Sequence, residues 1–356
     1  KSEKGLLFQF AVPSIIAMLV GSLYNIVDQF FIGHSVGELG NAATNISFPL
    51  SISCVAISLL FGIGGASAFN ISMGAGEKKN AVYYLGNSAV MLFSCGIVLC
   101  VITLMFLEPL LRFFGSPNNV LDYAKTYTGI IAFGFPFLIL TTGGGHLIRA
   151  DGRPKVSMIC NLTGAIVNIF LDALFVFGLN MGMRGAALAT IIGQILSAIM
   201  VIWCLSHCKT VSVGKEHLKV RKKIISRIIS LGTAPFSNQL AMMVVQIVMN
   251  KSLKYYGSIS VYGEAVPIAC AGIITKVNQV FMSFVIGISQ GLQPITSFNY
   301  GAKKYKRVKT AYTFAIKCGF ALAIVAFLLF QLAPRQIISI FGDGSEEYYT
   351  FAINYF

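Results

Sequence analysis

Charged side chains are scarce in this sequence: Asp, Glu, Lys and Arg make up 11% of its 356 residues, against roughly a quarter in soluble domains. So little charge cannot cover a water-facing globule. With 56% hydrophobic residues and a mean hydropathy of +0.75, the chain is expected to have a bilayer as its solvent. Histidine is nearly absent, and the eight cysteines fall mostly one by one inside apolar segments, as at Cys54, Cys95, Cys160, Cys270 and Cys318. That scatter excludes a disulfide framework and gives no transition-metal ligand set. A positively charged leader followed by a cleavage site is not found, so no removable signal peptide is expected. Acidic residues are the scarcer of the charged ones, 13 against 27 basic, which makes any carboxylate inside an apolar segment conspicuous.

What is abundant is long apolar runs, each of about 20 residues or more, the length that crosses a roughly 30 Å hydrocarbon core as helix. They lie near 9–32, 46–71, 82–106, 123–145, 156–178, 186–206, 229–250, 265–298 and 310–332, with a tenth beginning near Glu347. The expected fold class is therefore an all-α polytopic membrane protein with nine complete spans and the start of another. The net charge of +14 invites a nucleic-acid reading, but the basic residues divide by side. One side holds Lys1, Lys4, Lys78, Lys79, Arg149, Arg153, Lys155, the run from Lys209 to Arg227, and Lys303 to Lys309. The other holds Arg112, Lys125, Arg184, Lys251, Lys254 and Arg335. This is the positive-inside asymmetry, so the N-terminus is expected in the cytoplasm and the surplus charge against anionic lipid. No nucleic-acid partner is expected.

The chain repeats itself. "FAVPSIIAML" around Pro13 aligns with "LGTAPFSNQL" around Pro235, and "GIGGASAFNISMGAGEKK" aligns with "GISQGLQPITSFNYGAKK", pairing Gly64 with Gly291 and Gly74 with Gly301. The charges of both halves fall on the same sides, so the repeats are parallel, related by an axis along the membrane normal. The expected division is an N-terminal lobe at 1–206, a basic linker at 207–227 and a C-terminal lobe at 228–356. Ile224, Ile225, Ile228 and Ile229, at helical spacing, suggest an amphipathic helix at the linker's end. Phe356 stands opposite roughly Thr128 of the first half, so a complete second lobe is expected to need about 80 further residues.

Two carboxylates sit well inside spans, Asp28 and Asp172. A charge at that depth costs about 2.5–3.5 kcal/mol on insertion scales, which marks it as a functional group. In "NIFLDALF", Asn168 lies four residues before Asp172, and Tyr24 lies four before Asp28, so each carboxylate shares a helical face with a neutral polar partner. Two such faces can supply four or five oxygens, which suits Na⁺ and equally a shared proton. At the repeat offset, Tyr24 and Asp28 map onto Gln246 and Asn250, so the second lobe keeps polarity without charge there. Lys276 either snorkels to the outer surface or serves a cavity. Asn238, Gln239, Asn278 and Gln279 are further candidates for lining a substrate cavity. The glycines of "GIGG" and "TTGGG" lack the strand context of phosphate loops and are expected at close helix contacts, and Pro136 at a kink.

With "YNIVDQFFIG", "IRADGRPK", "NIFLDALFVFG" and "QGLQPITSFNYGAKK" in order along its length, the chain resembles the multidrug and toxic compound extrusion (MATE) transporters, in particular the bacterial multidrug efflux branch. The resemblance implies two six-helix lobes around a central cavity and exchange of Na⁺ or H⁺ for small organic, usually cationic, compounds. It carries the first-lobe cation site onto Tyr24, Asp28, Asn168, Asp172 and Thr190. It implies a multi-pass protein of the bacterial cell membrane, working as a monomer among membrane lipids with no cofactor beyond the coupling ion. Two other readings are open: a lipid-linked saccharide flippase, which should need a more cationic cavity, and an intramembrane aspartyl protease, whose Tyr-Asp and Gly-x-Gly-Asp signatures are missing.

Overall fold

The computed structural model describes residues 3–36, 38–116, 118–259, 265–339 and 353. The described residues form helices and no strand. The first lobe comprises α1 (Glu3–Val36), α2 (Glu38–Gly74), α3 (Lys78–Met105), the short α4 (Leu107–Phe113), α5 (Asn118–Ile131), α6 (Phe135–Ala150), α7 (Pro154–Asp172) and α8 (Gly182–Ser206). The second comprises α9 (Lys222–Ser258), α10 (Ala265–Gly301), α11 (Tyr305–Leu332) and the short α12 (Pro334–Ser339). Among the described residues, eight helical stretches are long and apolar enough to span a membrane. The fourth joins α5 to α6 through a tight turn at Ala132–Gly134. Pro136 explains that turn: lacking an N–H, it leaves the carbonyl four residues back without its helical donor. The expected span near 265–298 is α10, many of whose first-third side chains lie outside the described residues, as does the tenth span near Glu347.

Small residues set the packing. Gly62 and Gly64 lie two apart on α2, about 200° around the helix, and so face opposite neighbours. A Cβ on Gly62 would stand 2.6 Å from the Cα of Gly143 on α6, inside the first lobe, whereas one on Gly64 would strike the Ile228 carbonyl of α9, in the second. With no hydrophobic drive between helices in lipid, this approach of backbones is what binds them. A Cβ on Gly74 would meet the Phe298 carbonyl of α10, and one on Gly301 would meet the Ile71 carbonyl of α2. Gly74 and Gly301, like Ile71 and Phe298, are repeat equivalents 227 positions apart. The contact is reciprocal, as a two-fold axis between parallel repeats requires. Gly291 of α10 packs likewise on α1, 2.5 Å from the Ala11 nitrogen to a built Cβ.

Hydrogen bonds also join the lobes: Ser22 to Ser283 at 3.2 Å, Gln293 to Ser67 at 2.9 Å, and Arg307 to Glu3 at 2.6 Å. The last two lie towards the end where the chain enters α1 and crosses between the lobes, whereas Ser22 and Ser283 lie near the middle of α1 and α10.

That crossing, residues 207–221, is an ordered strap on the first lobe. Asp151, wholly buried, accepts from the backbone nitrogens of Lys209 and Thr210 at 2.8 and 3.0 Å and pairs with Arg153 at 2.7 Å. Asn87 of α3 donates to the carbonyls of His217 and Lys219 and accepts from the Arg221 nitrogen, at 2.9–3.2 Å. The isoleucines expected on a separate amphipathic surface helix instead form the first turns of α9, where Ile228 is buried against α2. The glycine seam that admits α9 to α2 is what draws this face inward.

Candidate cation site

Asp28 lies far along α1, on the side away from the strap, and is 8% exposed. Asp172, fully buried, is the last residue of α7 before the helix widens into a π turn over Ala173–Gly178. Such turns carry one extra residue and occur often beside functional groups. Phe177 in this turn packs on Phe31 of α1, ring centroids 5.4 Å apart, which holds the π turn against the helix that carries Asp28.

The two carboxylates are within electrostatic reach of one another and of Tyr24. Asn168, 2% exposed, lies one turn before Asp172, and its amide contacts Thr190 Oγ1 of α8 at 3.3 Å. With the amide rotated so that its nitrogen faces the carboxylate, it donates to Asp172 Oδ2 at 3.1 Å while its oxygen accepts from the Thr190 N–H at 3.1 Å. Thr190 Oγ1 is further tied to the Ala186 carbonyl at 3.0 Å and lies near Tyr24. The structure thus brings Tyr24, Asp28, Asn168, Asp172 and Thr190 into one cluster of α1, α7 and α8.

Tyr127 of α5, a residue the sequence reading passed over, is 7% exposed and within electrostatic reach of Asp28, Asp172 and Tyr24. Its only sequence signal is a hydroxyl two residues past Lys125, inside an apolar span, and that pattern reads as an interfacial aromatic.

One oxygen of each carboxylate, Asp28 Oδ1 and Asp172 Oδ1, is buried with no hydrogen-bond partner among the described residues. Burying such an acceptor unpaired is costly, and a hard cation or a proton between the two aspartates removes the cost. Among the described residues no third His, Cys, Asp or Glu joins them. Two carboxylates with neutral hydroxyl and amide oxygens fit Na⁺ or H⁺.

The second-lobe candidates are not gathered in this way. Asn238 of α9 and Asn278 and Gln279 of α10 are exposed, and Gln239 is half-buried. The Gln279 carbonyl accepts from Ser283 at 2.8 Å, which places it next to the Ser22 contact. The side chains of Gln246, Asn250 and Lys276 lie outside the described residues.

The model of the MatE family matches residues 13–174 and 236–356. The chain belongs to the MatE family. Its MatE relatives include the multidrug export protein MepA of Staphylococcus haemolyticus, 26% identical over 341 residues that cover 96% of this chain and 74% of the relative. MepA of Staphylococcus aureus is 26% identical over 332 residues, 93% of this chain and 72% of the relative. Among solved structures, an outward-facing multidrug resistance MATE family transporter of the MOP superfamily superposes with a TM-score of 0.90 at 22% identity, covering 100% of this chain and 78% of that one. A MOP superfamily transporter from Pyrococcus furiosus, described as having a binding pocket of reversed polarity, also gives 0.90 at 22% identity, with 99% and 77% covered. This MatE chain is thus a multi-pass membrane transporter and not an enzyme.

Proposed function

We propose that this MatE chain exports small, drug-like organic cations from the bacterial cell in exchange for inward-moving Na⁺ or H⁺, as a monomer in the plasma membrane with its N-terminus inside. The observation that carries the reading is the pair of unpartnered buried oxygens, Asp28 Oδ1 and Asp172 Oδ1, in one cluster. The multidrug export named for the MepA relatives supports the cargo class, and the basic strap face supports the orientation.

A cation taken between Asp28 and Asp172 pulls α1 onto α7. Since α1 also packs on α10 through Gly291 and carries Pro13 within its length, a change at its far end reaches the second lobe. The lobe-to-lobe hydrogen bonds among the described residues reach from mid-helix at Ser22 and Ser283 to the strap side, and that seam is where the lobes would pivot in alternating access. One charge moving down 100 mV supplies about 2.3 kcal/mol, enough with one or two ions to maintain a useful drug gradient.

The test is efflux of a fluorescent organic cation from cells expressing the full protein or Asp28→Asn at matched levels. Efflux by the variant is expected to fall to that of cells lacking the transporter, and efflux equal to the wild type would remove Asp28 from coupling. Proteoliposomes with Na⁺ and pH gradients imposed separately identify the ion.

A further inference from the structure

Where α3 begins and the strap passes over it there is a pocket of about 460 Å³, lined by Lys78, Lys79, Tyr83, Thr210, Ser212 and His217, with Val82, Val211 and the Glu216 carboxylate completing the wall. We propose that this pocket binds the phosphate group of an anionic phospholipid of the adjoining leaflet.

The walls are built rather than loose. Asn87 fixes the strap at residues 217–221, Asp151 fixes it at Lys209 and Thr210, and the Arg221 guanidinium lies 3.8 Å from the centre of the Tyr83 ring, on which His217 also packs at 4.8 Å. The donors converge. Lys78 and Lys79 open α3, whose start no side chain caps, and neither is paired with a carboxylate among the described residues. His217 Nδ1 accepts the Gly214 N–H at 2.9 Å, so the ring proton sits on Nε2, the nitrogen free to donate. Glu216 Oε1 is 3.7 Å from that nitrogen but its side chain is 73% exposed, so it is free to swing into water.

The unpaired lysines stand beside the Ser212 hydroxyl and the His217 Nε2–H, a donor set that suits an anion, while the Thr210 hydroxyl is already committed to Asp151 Oδ1. The depth of the pocket selects the source. Lys78 and Lys79 open a helix long and apolar enough to cross a membrane, the end at which basic residues meet leaflet phosphates, and Val82 and Val211 offer an apolar wall to the glycerol backbone. Basic residues at this level are drawn to anionic leaflets.

The experiment measures the thermal midpoint of the detergent-purified full chain titrated with dioleoylphosphatidylglycerol, dioleoylphosphatidylcholine or inorganic phosphate. Phosphatidylglycerol is expected to raise the midpoint saturably and the other two to leave it unchanged. The double variant Lys78→Gln/Lys79→Gln, and Ser212→Trp, which fills the pocket without altering charge, should each lose at least half of the rise. Lys303→Gln/Lys304→Gln, with the same charge removed elsewhere on this face, should keep it. A full rise in the pocket variants, or an equal loss in the control, overturns the site. An equal rise with inorganic phosphate overturns its lipid source. The readout is binding, so the result is separate from that of the transport assay.

Discussion

At the scale of single residues, the cation cluster is a set of short side chains whose positions follow from helical spacing and whose chemistry follows from burial. Asp172→Asn keeps the shape of the group and removes its charge. Coupled efflux should fall as far as for Asp28→Asn, while detergent-extracted protein still elutes as a single folded species. Tyr127→Phe removes one hydroxyl within electrostatic reach of both carboxylates and leaves the buried ring. Since one hydrogen bond contributes about 0.5–1.5 kcal/mol, the apparent affinity for the coupling cation should weaken about threefold to tenfold, read from the ion dependence of transport in proteoliposomes. Asp28 and Asp172, with Tyr24 and Asn168 one turn away, were legible as candidates because polar groups inside apolar spans need a reason to be there, whereas Thr190 came only from the family resemblance. Tyr127 was not legible, because a tyrosine in such a span has an ordinary interfacial role, and only the packing of α5 brings it within electrostatic reach of the aspartates.

At the scale of elements, the described spans could be located from length and hydropathy, with ends off by up to about two turns, as at the starts of α1 and α9. The π turn after Asp172 could not, because "ALFVFG" is as apolar as any regular helix. The strap also escaped notice. Its sequence looks like a basic linker, and the residue that orders it, Asn87, lies in the first third of α3, fully buried among apolar neighbours. Its docking has a chemical reporter. Burial, and then the Asp151 charge, push the Cys208 thiol up to about 12, so at pH 8 the reactive thiolate is on the order of one part in 10⁴. In a variant retaining Cys208 alone, maleimide labelling should be slow, and Asp151→Ala, which frees Lys209 and Thr210, should speed it at least tenfold. Within the first lobe, Gly62→Val drives a side chain into the Gly143 backbone. Overpacking of this kind typically costs about 1–3 kcal/mol, and the thermal midpoint should drop accordingly.

At the scale of the whole molecule, glycines two residues apart have different tasks. Gly64→Val and Gly291→Val act across the lobes, at α2 with α9 and at α10 with α1. They should shift the balance between states more than they lower stability, measured as longer spin-label distances across the strap face with little change in midpoint. Equal loss of midpoint to Gly62→Val would show that the seam is structural rather than a hinge. The repeat was readable from "GIGG" and its partner, but not that Gly74 and Gly301 meet each other's segments. That reciprocity gives the contact between the ends of α2 and α10 the form of an isologous dimer interface enclosed in one chain. Each half presents the same patch to the other, so a change on one side leaves its twin intact and seals only half the defect. Among the described residues the pair of buried carboxylates lies in the first repeat alone, whereas the reciprocal glycine contacts draw on both.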